Sequence, residues 1–203
     1  YISSELDLSD KEQGLKIIQT SEFPYKGYSE IKILNSNNKE TIIYFRIPSW
    51  DQKTKILING EEINYKTFNG YAKIYRKWKA GDKIELKFDF TPRFVRTNPN
   101  VRYNIRKASI FRGPILYCLE EIDNGKNLNR FVIDSNNYFN EKEDKINSEN
   151  IISLSINGSK FDDTNELYIK DKPKLSDAYL KFIPYYLWSN RGENEMIVWV
   201  NEN

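Results

Sequence analysis

Two pairs of adjacent carboxylates are the first residues in this chain whose types could do chemistry: Glu61-Glu62 and Glu120-Glu121. Acid–base cleavage of a glycosidic bond needs two carboxyl groups about 5–10 Å apart, one of them kept protonated by its surroundings. Glu120-Glu121 follows an apolar strand-like run, and neighbouring residues of a strand point to opposite faces of a sheet. Glu61-Glu62 follows a turn and is typical of a solvated rim. We therefore predict no catalytic residue in this chain.

The single cysteine, Cys118, is the second candidate for chemistry. A cysteine nucleophile needs a depressed pKa, which a neighbouring histidine often provides. The chain contains no histidine, which excludes a serine–histidine triad and a histidine-ligated zinc site. One cysteine can form neither an internal disulfide nor a thiolate cluster, so the redox compartment stays open. We predict that Cys118 is a small buried hydrophobe, and we predict no metal site and no cofactor site.

Oxygen ligands for calcium are a separate case, because they need neither histidine nor cysteine. Asp123-Asn124-Gly125 and Asp162-Asp163 offer short acidic turns. Neither has the full spacing of a calcium-binding loop. Calcium binding at these turns is left as an open alternative.

Aromatic side chains are the third candidate, because their faces can stack on sugar rings. The chain has 14 tyrosines, 11 phenylalanines and four tryptophans. For Trp50, Trp78 and Trp199, which lie in or beside strand-like runs, packing in or at the edge of a core is the better interpretation.

The segment 183–192 differs from the other aromatic stretches, because it combines aromatics, an amide and a guanidinium in a turn-rich run. Its candidate contact residues are Tyr185, Tyr186, Trp188, Asn190 and Arg191. An arginine can fork onto a carboxylate or stack on a ring. One interpretation is therefore that Arg191 pins neighbouring loops, and the other is that the segment contacts a glycan or a partner domain.

The elements that must position these residues are β-strands. The run 83–90 alternates apolar and charged residues strictly, which predicts a strand with one buried face. Asn59-Gly60 separates two short strand-like runs, 55–58 and 61–64, and predicts a type I′ hairpin turn, because both central residues of that turn take positive φ. Asn157-Gly158 predicts a second such turn after a strand at 151–156. The run 196–200 predicts the closing strand.

Two stretches interrupt the strand pattern. The run 136–150 is polar and charge-rich and predicts a solvated loop. The run 91–100 contains two prolines, which cannot donate to a strand ladder, so we place a domain boundary near residue 97. Many short strands without alternating helices predict an all-β fold of two tandem antiparallel β-sandwich domains, residues 1–97 and 98–203.

Composition and charge limit the class of protein and the kinds of partner. Hydrophobic residues make up 39% and charged residues 30% of the 203 residues, the balance of a globular chain. The net charge of +2 gives no electrostatic argument for a nucleic-acid partner. No apolar run is long enough for a membrane-spanning helix, so we expect no membrane partner. Because the chain opens at Tyr1 in strand-like sequence, we expect a further segment to precede it.

Motifs in a fixed order carry a resemblance over almost the whole chain. The first half has Phe45-Arg46-Ile47-Pro48-Ser49-Trp50, Ile58-Asn59-Gly60, Gly70-Tyr71 and Trp78-Lys79-Ala80-Gly81-Asp82-Lys83-Ile84. The second half has Arg112-Gly113-Pro114-Ile115-Leu116-Tyr117-Cys118-Leu119-Glu120, the segment 183–192 and Met196-Ile197-Val198-Trp199. Together they resemble the C-terminal region of glycoside hydrolase family 127, which includes β-L-arabinofuranosidases.

The resemblance implies an enzyme whose N-terminal (α/α)6 barrel carries the chemistry, followed by two β-sandwiches packed against it. In that family a cysteine nucleophile in a zinc site attacks the sugar, and a glutamate acts as acid–base. None of those motif residues has a counterpart here, and Cys118 does not inherit the nucleophile's role. We therefore expect a non-catalytic accessory region whose partner is the barrel of the same parent protein, with zinc in that barrel. The alternatives are a carbohydrate-binding module that uses aromatic side chains and a homodimer contact.

Overall fold

The computed structural model describes all 203 residues, which form two compact units, Tyr1–Thr91 and Pro92–Asn203. Strands contain 50% of the residues and helices 6%, which confirms the predicted all-β class. The α-helix has four residues, and no helix is long and apolar enough to cross a membrane.

The first unit is built from two antiparallel sheets. Its strands are β1 (Ser4–Leu8), β2 (Leu15–Ser21), β3 (Tyr28–Ser36), β4 (Glu40–Arg46), β5 (Lys55–Ile58), β6 (Glu61–Glu62), β7 (Thr67–Phe68), β8 (Tyr71–Lys77) and β9 (Lys83–Lys87). One sheet has the order β1-β2-β3-β9-β5-β6, and the other has the order β4-β8-β7. Neighbouring strands in both sheets run antiparallel.

The two sheets of the first unit share one hydrophobic core. Alternate residues of β3, β5 and β9 from one sheet pack with residues of β4 and β8 from the other: Ile31, Ile33, Phe45, Ile56, Ile58, Ala72, Ile84 and Leu86. Trp78 is fully buried in this core and donates its indole N–H to the Thr41 carbonyl at 3.0 Å. Trp50 packs against Phe90 with ring centroids 5.8 Å apart. The predicted core or edge packing of Trp50 and Trp78 is confirmed.

The Asn59-Gly60 turn has the predicted geometry, with φ of 52° and 87°. The Asn59 amide also donates to the Asp82 carboxylate at 2.9 Å and accepts the Lys83 N–H at 2.9 Å. Burial of Asp82 opposes its ionisation, but the hydrogen bonds from Asn59 and the Lys79 N–H outweigh that and lower its pKa. The hairpin turn is therefore fastened to the turn that precedes β9.

The second unit contains nine strands and one short α-helix. In chain order they are β10 (Arg93–Val95), β11 (Lys107–Arg112), β12 (Ile115–Glu120), α1 (Glu121–Asn124), β13 (Phe131–Ile133), β14 (Asn140–Ile146), β15 (Glu149–Phe161), β16 (Leu175–Pro184), β17 (Met196–Ile197) and β18 (Val200–Glu202). Six of these strands pair in a closed ring, β11-β18-β13-β15-β16-β12, because β12 also pairs with β11. All pairs are antiparallel except β13–β18, which is parallel.

The ring encloses the core of the second unit. Its buried members come from each of the six strands and from a 3-10 turn, and they are Ala108, Ile110, Tyr117, Leu119, Leu128, Phe131, Ile133, Leu154, Ile156, Leu180, Phe182 and Val200. Tyr117 donates its hydroxyl to the Ile152 carbonyl at 2.8 Å, so even its polar atom is satisfied. A closed sheet with a filled interior leaves no space for a ligand inside the ring.

The prediction of a turn at Asn157-Gly158 is wrong, because both residues lie inside β15. A Cβ at Gly158 would lie 2.5 Å from the Val132 carbonyl oxygen. Glycine is needed there for the close approach of β13, not for a positive φ.

The prediction of a solvated loop over 136–150 is also wrong for most of that stretch. Residues Asn140–Ile146 form β14, which pairs with Glu149–Ser155 of β15. Most of the β14 side chains are exposed, and the strand has β15 as its one partner. Since neither face is apolar, the alternation that normally identifies a strand is missing.

The predicted closing strand over 196–200 also differs from the structure. The run 196–200 forms two strands, because Ile197 pairs with β12 whereas Val200 pairs with β11. The two compact units divide between Thr91 and Pro92, and the strand Arg93–Val95 pairs with β11 of the second unit.

Candidate functional site

The segment 183–192 follows directly from β16. A 3-10 turn at Tyr185–Leu187 directs Leu187 inward, where it is buried. Tyr185, Tyr186 and Trp188 remain 39%, 47% and 39% exposed. The segment therefore has an inner side that packs on the second unit and an outer side that is aromatic.

The inner side of this segment lies over the outer face of β12. Along β12, Tyr117 and Leu119 point into the ring, so Cys118 and Glu120 point away from it. Cys118 packs in a separate cluster with Ile146, Ile151, Ile183 and Leu187. The prediction that Cys118 is buried is confirmed.

The Cys118 thiol is poorly suited to nucleophilic chemistry. Burial raises its pKa to about 12, and the nearby charge of Glu120 acts in the same direction. A thiol with this pKa is almost wholly protonated at neutral pH, whereas the nucleophilic form is the thiolate.

Glu120 is the carboxylate at the centre of this region, and it is fully buried. One carboxylate oxygen accepts the Ser189 N–H at 2.8 Å, and the other forms an ion pair with the Arg191 guanidinium. The same guanidinium binds Asp123 at 2.5 and 3.2 Å. The hydrogen bond to Asp123, followed by that to Glu120, raises the pKa of Arg191, although burial opposes this. We call Glu120, Asp123 and Arg191 the charged cluster.

Lys181 connects the charged cluster to β14. Its ammonium lies 3.4 Å from Asp123 and 2.9 Å from Asp144. Burial lowers the pKa of Lys181, but the hydrogen bond to Asp144 and the two negative charges outweigh it, so the pKa is raised. The hydrogen bond from Lys181 is also the main cause of the lowered pKa of Asp144. Together with Lys181, the cluster thus joins five parts of the unit: β12, α1, β14, β16 and the segment 183–192.

The five candidate contact residues divide into two groups. Arg191 points inward and holds the segment to β12 and α1, which is the pinning role considered from the sequence. Tyr185, Tyr186 and Trp188 point outward, and Asn190 is exposed. The main chain of Asn190 accepts a hydrogen bond from the Asn147 amide at 3.1 Å.

The acidic turns considered for calcium are engaged with protein groups. Asn124 donates to the main-chain oxygens of Glu120 and Lys181, both at 2.9 Å, while Asp123 binds Arg191. In the other turn, Asp163 pairs with Arg130 at 2.7 Å. No group of three or more histidine, cysteine, aspartate or glutamate side chains in the chain could hold a metal ion. These residues do not fit a cysteine-ligated zinc centre.

The two carboxylate pairs have different surroundings. Glu121 accepts the Glu195 N–H at 3.1 Å, while Glu120 belongs to the charged cluster. Glu62 pairs with Lys55 at 3.0 Å, and both side chains are more than half exposed.

Sequence reasoning missed Asp123, Lys181 and Asp144 as members of one network. Lys181 lies in an alternating strand and looks like any solvent-facing lysine. Arg191 and Glu120 are 71 residues apart, and nothing in the sequence specifies their pairing.

The fold and this site define the class of the molecule as an all-β protein of two compact units, in which the fully buried carboxylate of Glu120 is paired with Arg191. Comparison with known proteins specifies the family. The profile described as "Beta-L-arabinofuranosidase, GH127 middle domain" matches residues 1–90, and "Glycoside hydrolase family 127 C-terminal domain" matches residues 92–201. The chain belongs to glycoside hydrolase family 127 and corresponds to its middle and C-terminal domains.

Individual relatives agree with this assignment. The chain is 30% identical to a non-reducing end β-L-arabinofuranosidase from Bifidobacterium longum subsp. longum, over 91% of this chain and 30% of that protein. It matches the crystal structure of a GH127 β-L-arabinofuranosidase from Geobacillus stearothermophilus T6 with a TM-score of 0.89 and 32% identity, over 100% of this chain and 32% of that one. A GH127 β-arabinofuranosidase structure matches with a TM-score of 0.83 and 28% identity, over 99% of this chain and 33% of that one. The chain therefore spans about a third of the length of these relatives.

Proposed function

We propose that this chain is the non-catalytic C-terminal β-sandwich accessory region of a glycoside hydrolase resembling the β-L-arabinofuranosidases, and that it supports an N-terminal (α/α)6 catalytic barrel. The proposal rests on one observation: the groups of this chain that could react with a sugar are buried or already paired. Glu120 is already paired with Arg191, and burial keeps the lone thiol of Cys118 protonated. Neither group is available to a sugar. Zinc, in this proposal, belongs to the barrel.

The segment 183–192 is the part of the chain best built to contact that barrel. Its outer side presents three aromatic side chains, and aromatic residues are enriched in the buried centres of protein interfaces. The charged cluster holds the inner side of the segment in place. Because the segment is already ordered, contact with a partner costs little conformational entropy.

Absence of turnover is the first test. The 203-residue chain is incubated with β-L-arabinofuranosides, and released L-arabinose is measured by chromatography. We expect no release above that of a heat-denatured sample. Reproducible hydrolysis that follows the concentration of the folded chain would overturn the proposal.

The support role is tested in the full-length parent protein. Replacing Tyr185, Tyr186 and Trp188 by serine is expected to lower the melting temperature of the parent, because a buried contact loses its apolar area. The same changes in the 203-residue chain should have a smaller effect, since the barrel contact is absent there and these side chains are already 39–47% exposed. Serine at Tyr103, Tyr138 and Tyr168, which are at least 91% exposed, is the matched control. Equal melting temperatures for the parent and its variant would count against the contact.

A carbohydrate-binding module is the second candidate function, and the exposed rings of Tyr185, Tyr186 and Trp188 favour it. Titration of the chain with arabinosides, followed by NMR, tests it: saturable shifts in 185–191 would support binding there. A homodimer contact is the remaining proposal. Light scattering on the chain and on the parent distinguishes a monomer from a dimer.

A further inference from the structure

A polar cleft of about 770 Å³ lies in the first unit, far in sequence from the segment 183–192. One wall is the stretch 46–54, which follows β4, and the other is the stretch 62–70, which contains β7. The volume is within the range of pockets that bind small molecules.

Five polar side chains of this cleft have unused hydrogen-bonding capacity. All five are exposed hydroxyl or amide groups that make no side-chain hydrogen bond within the chain: Ser49, Gln52, Asn64, Thr67 and Asn69. Amides and hydroxyls each both donate and accept hydrogen bonds. Such a set matches the hydroxyl groups of a sugar, which do the same.

The charged groups of the cleft already make contacts with other groups of the chain. Arg46 donates to the carbonyls of Ile47 and Gly70 at 2.8 and 2.7 Å. Asp51 is buried and accepts hydrogen bonds from the Thr54 hydroxyl and from main-chain N–H groups. The third charged residue of the lining, Glu62, is exposed and pairs with Lys55, so the chemistry favours a neutral ligand.

The apolar part of the lining completes the match. Ile47, Pro48, Ile63 and Tyr65 line the same cleft. Tyr65 donates its hydroxyl to the Thr54 carbonyl at 2.5 Å, which fixes the orientation of its ring. A sugar ring has apolar C–H faces that pack on such side chains while its hydroxyls bond to amides.

The backbone holds the two walls at a fixed separation. Asn69 and Gly70 take φ of 50° and 77° in the turn before β8. A Cβ at Gly70 would lie 1.9 Å from the Arg46 guanidinium, so only glycine lets Arg46 bridge the walls. A cleft fixed in this way loses little entropy when a ligand binds.

From these observations we propose that the first unit carries a binding site for a neutral saccharide in the cleft between 46–54 and 62–70. The site goes beyond a support role and does not depend on the barrel. It also differs from the aromatic segment of the second unit, so the two glycan hypotheses can be separated by residue.

The test is an NMR titration of the isotopically labelled 203-residue chain with L-arabinose and methyl β-L-arabinofuranoside, and with glucosamine and glucuronic acid as charged comparisons. We expect saturable shifts of amides in 47–54 and 62–70 at millimolar neutral sugar and weaker shifts with the charged sugars. Absence of saturable shifts in the cleft at tens of millimolar, or shifts confined to 185–191, would overturn the proposal.

Single alanine substitutions test which side chains of the cleft contact the sugar. Gln52→Ala and Asn64→Ala each remove one side-chain partner and are expected to weaken binding about threefold to tenfold, the range for one net hydrogen bond. Gln13→Ala and Asn150→Ala remove exposed amides outside the cleft and should leave the affinity unchanged. Equal affinities for the cleft variants and the controls would contradict the assignment. Hydrolysis by the chain or loss of contact with the barrel would leave this result intact, because those tests concern other residues.

Discussion

The charged cluster of the second unit and the cleft of the first unit differ in whether their polar side chains have partners within the chain. In the second unit, Glu120 is fully buried and is paired with Arg191, which also binds Asp123. In the first unit, five amide and hydroxyl side chains that line the cleft are exposed and make no side-chain hydrogen bond within the chain. A concentration of charged side chains therefore does not by itself identify a binding site. The buried charges hold a surface segment in place, whereas the unused neutral groups are the ones available to a ligand.

The largest expected effect comes from breaking the charged cluster. Arg191→Ala leaves the Glu120 carboxylate buried without its cation, which costs about 3–5 kcal/mol. We expect urea denaturation of the second unit to show a loss of this size. Arg191→Lys keeps the charge but loses the fork, so an intermediate loss is expected.

A double variant tests whether the cost arises from the unpaired charge. Glu120→Gln combined with Arg191→Ala removes both charges, and it should be less destabilised than Arg191→Ala alone. If the double variant is as unstable as the sum of the two single changes, the ion pair is not the cause.

The second effect contrasts the two Asn-Gly pairs, one in each unit. Gly158→Ala places a Cβ 2.5 Å from the Val132 carbonyl oxygen, and we expect a loss of about 3 kcal/mol. Gly60→Ala meets no atom within 4 Å but must keep φ near 87°, so a loss of about 1 kcal/mol is expected. Thermal denaturation of both variants measures the difference. Equal losses would mean that the clash at Gly158 relaxes.

These two dipeptides also show how far the sequence specifies the fold. The turn at Asn59-Gly60 follows from local chemistry, because Asn-Gly readily takes the positive φ that a tight hairpin requires. Asn157-Gly158 has the same local signal, but its geometry depends on β13, which lies more than twenty residues earlier and is not visible in a local pattern. The all-β class was predictable for the same reason as the Asn59-Gly60 turn, because the alternation of apolar and polar residues is a local pattern.

The site divides in the same way. The aromatic and charged character of the segment 183–192 was predictable, because it depends on composition alone. The partner of Arg191 was not, because Glu120 approaches it only once β12 and β16 are paired. The cleft of the first unit gave no signal either, since isolated serine, threonine and amide residues are typical of any loop.

The third effect is a pH dependence centred on Cys118. Burial raises its pKa from 9.0 to about 12, so the native state holds this proton more tightly than the unfolded state. The resulting stability is fully present below pH 9 and is lost as the pH rises toward 12. We expect the stability of the second unit to be about 1 kcal/mol lower at pH 10 than at pH 8.

Tyrosines and lysines titrate in the same alkaline range, so a control is needed. Cys118→Ala should remove this part of the pH dependence and leave the rest. The native thiol should also react with a thiol reagent only as fast as the second unit unfolds. Rapid reaction in native buffer would show that Cys118 is accessible.

The smallest effect is expected for an ion pair at the surface of the first unit. Glu62→Gln breaks the pair with Lys55, in which both side chains are more than half exposed. Water and salt screen such a pair, so we expect the free energy of unfolding to change by less than about 0.5 kcal/mol. This variant is compared with Arg191→Ala, because both remove ion pairing and they differ in how deeply the remaining charges are buried. Similar losses for the two variants would show that burial of Glu120 does not set the strength of the charged cluster.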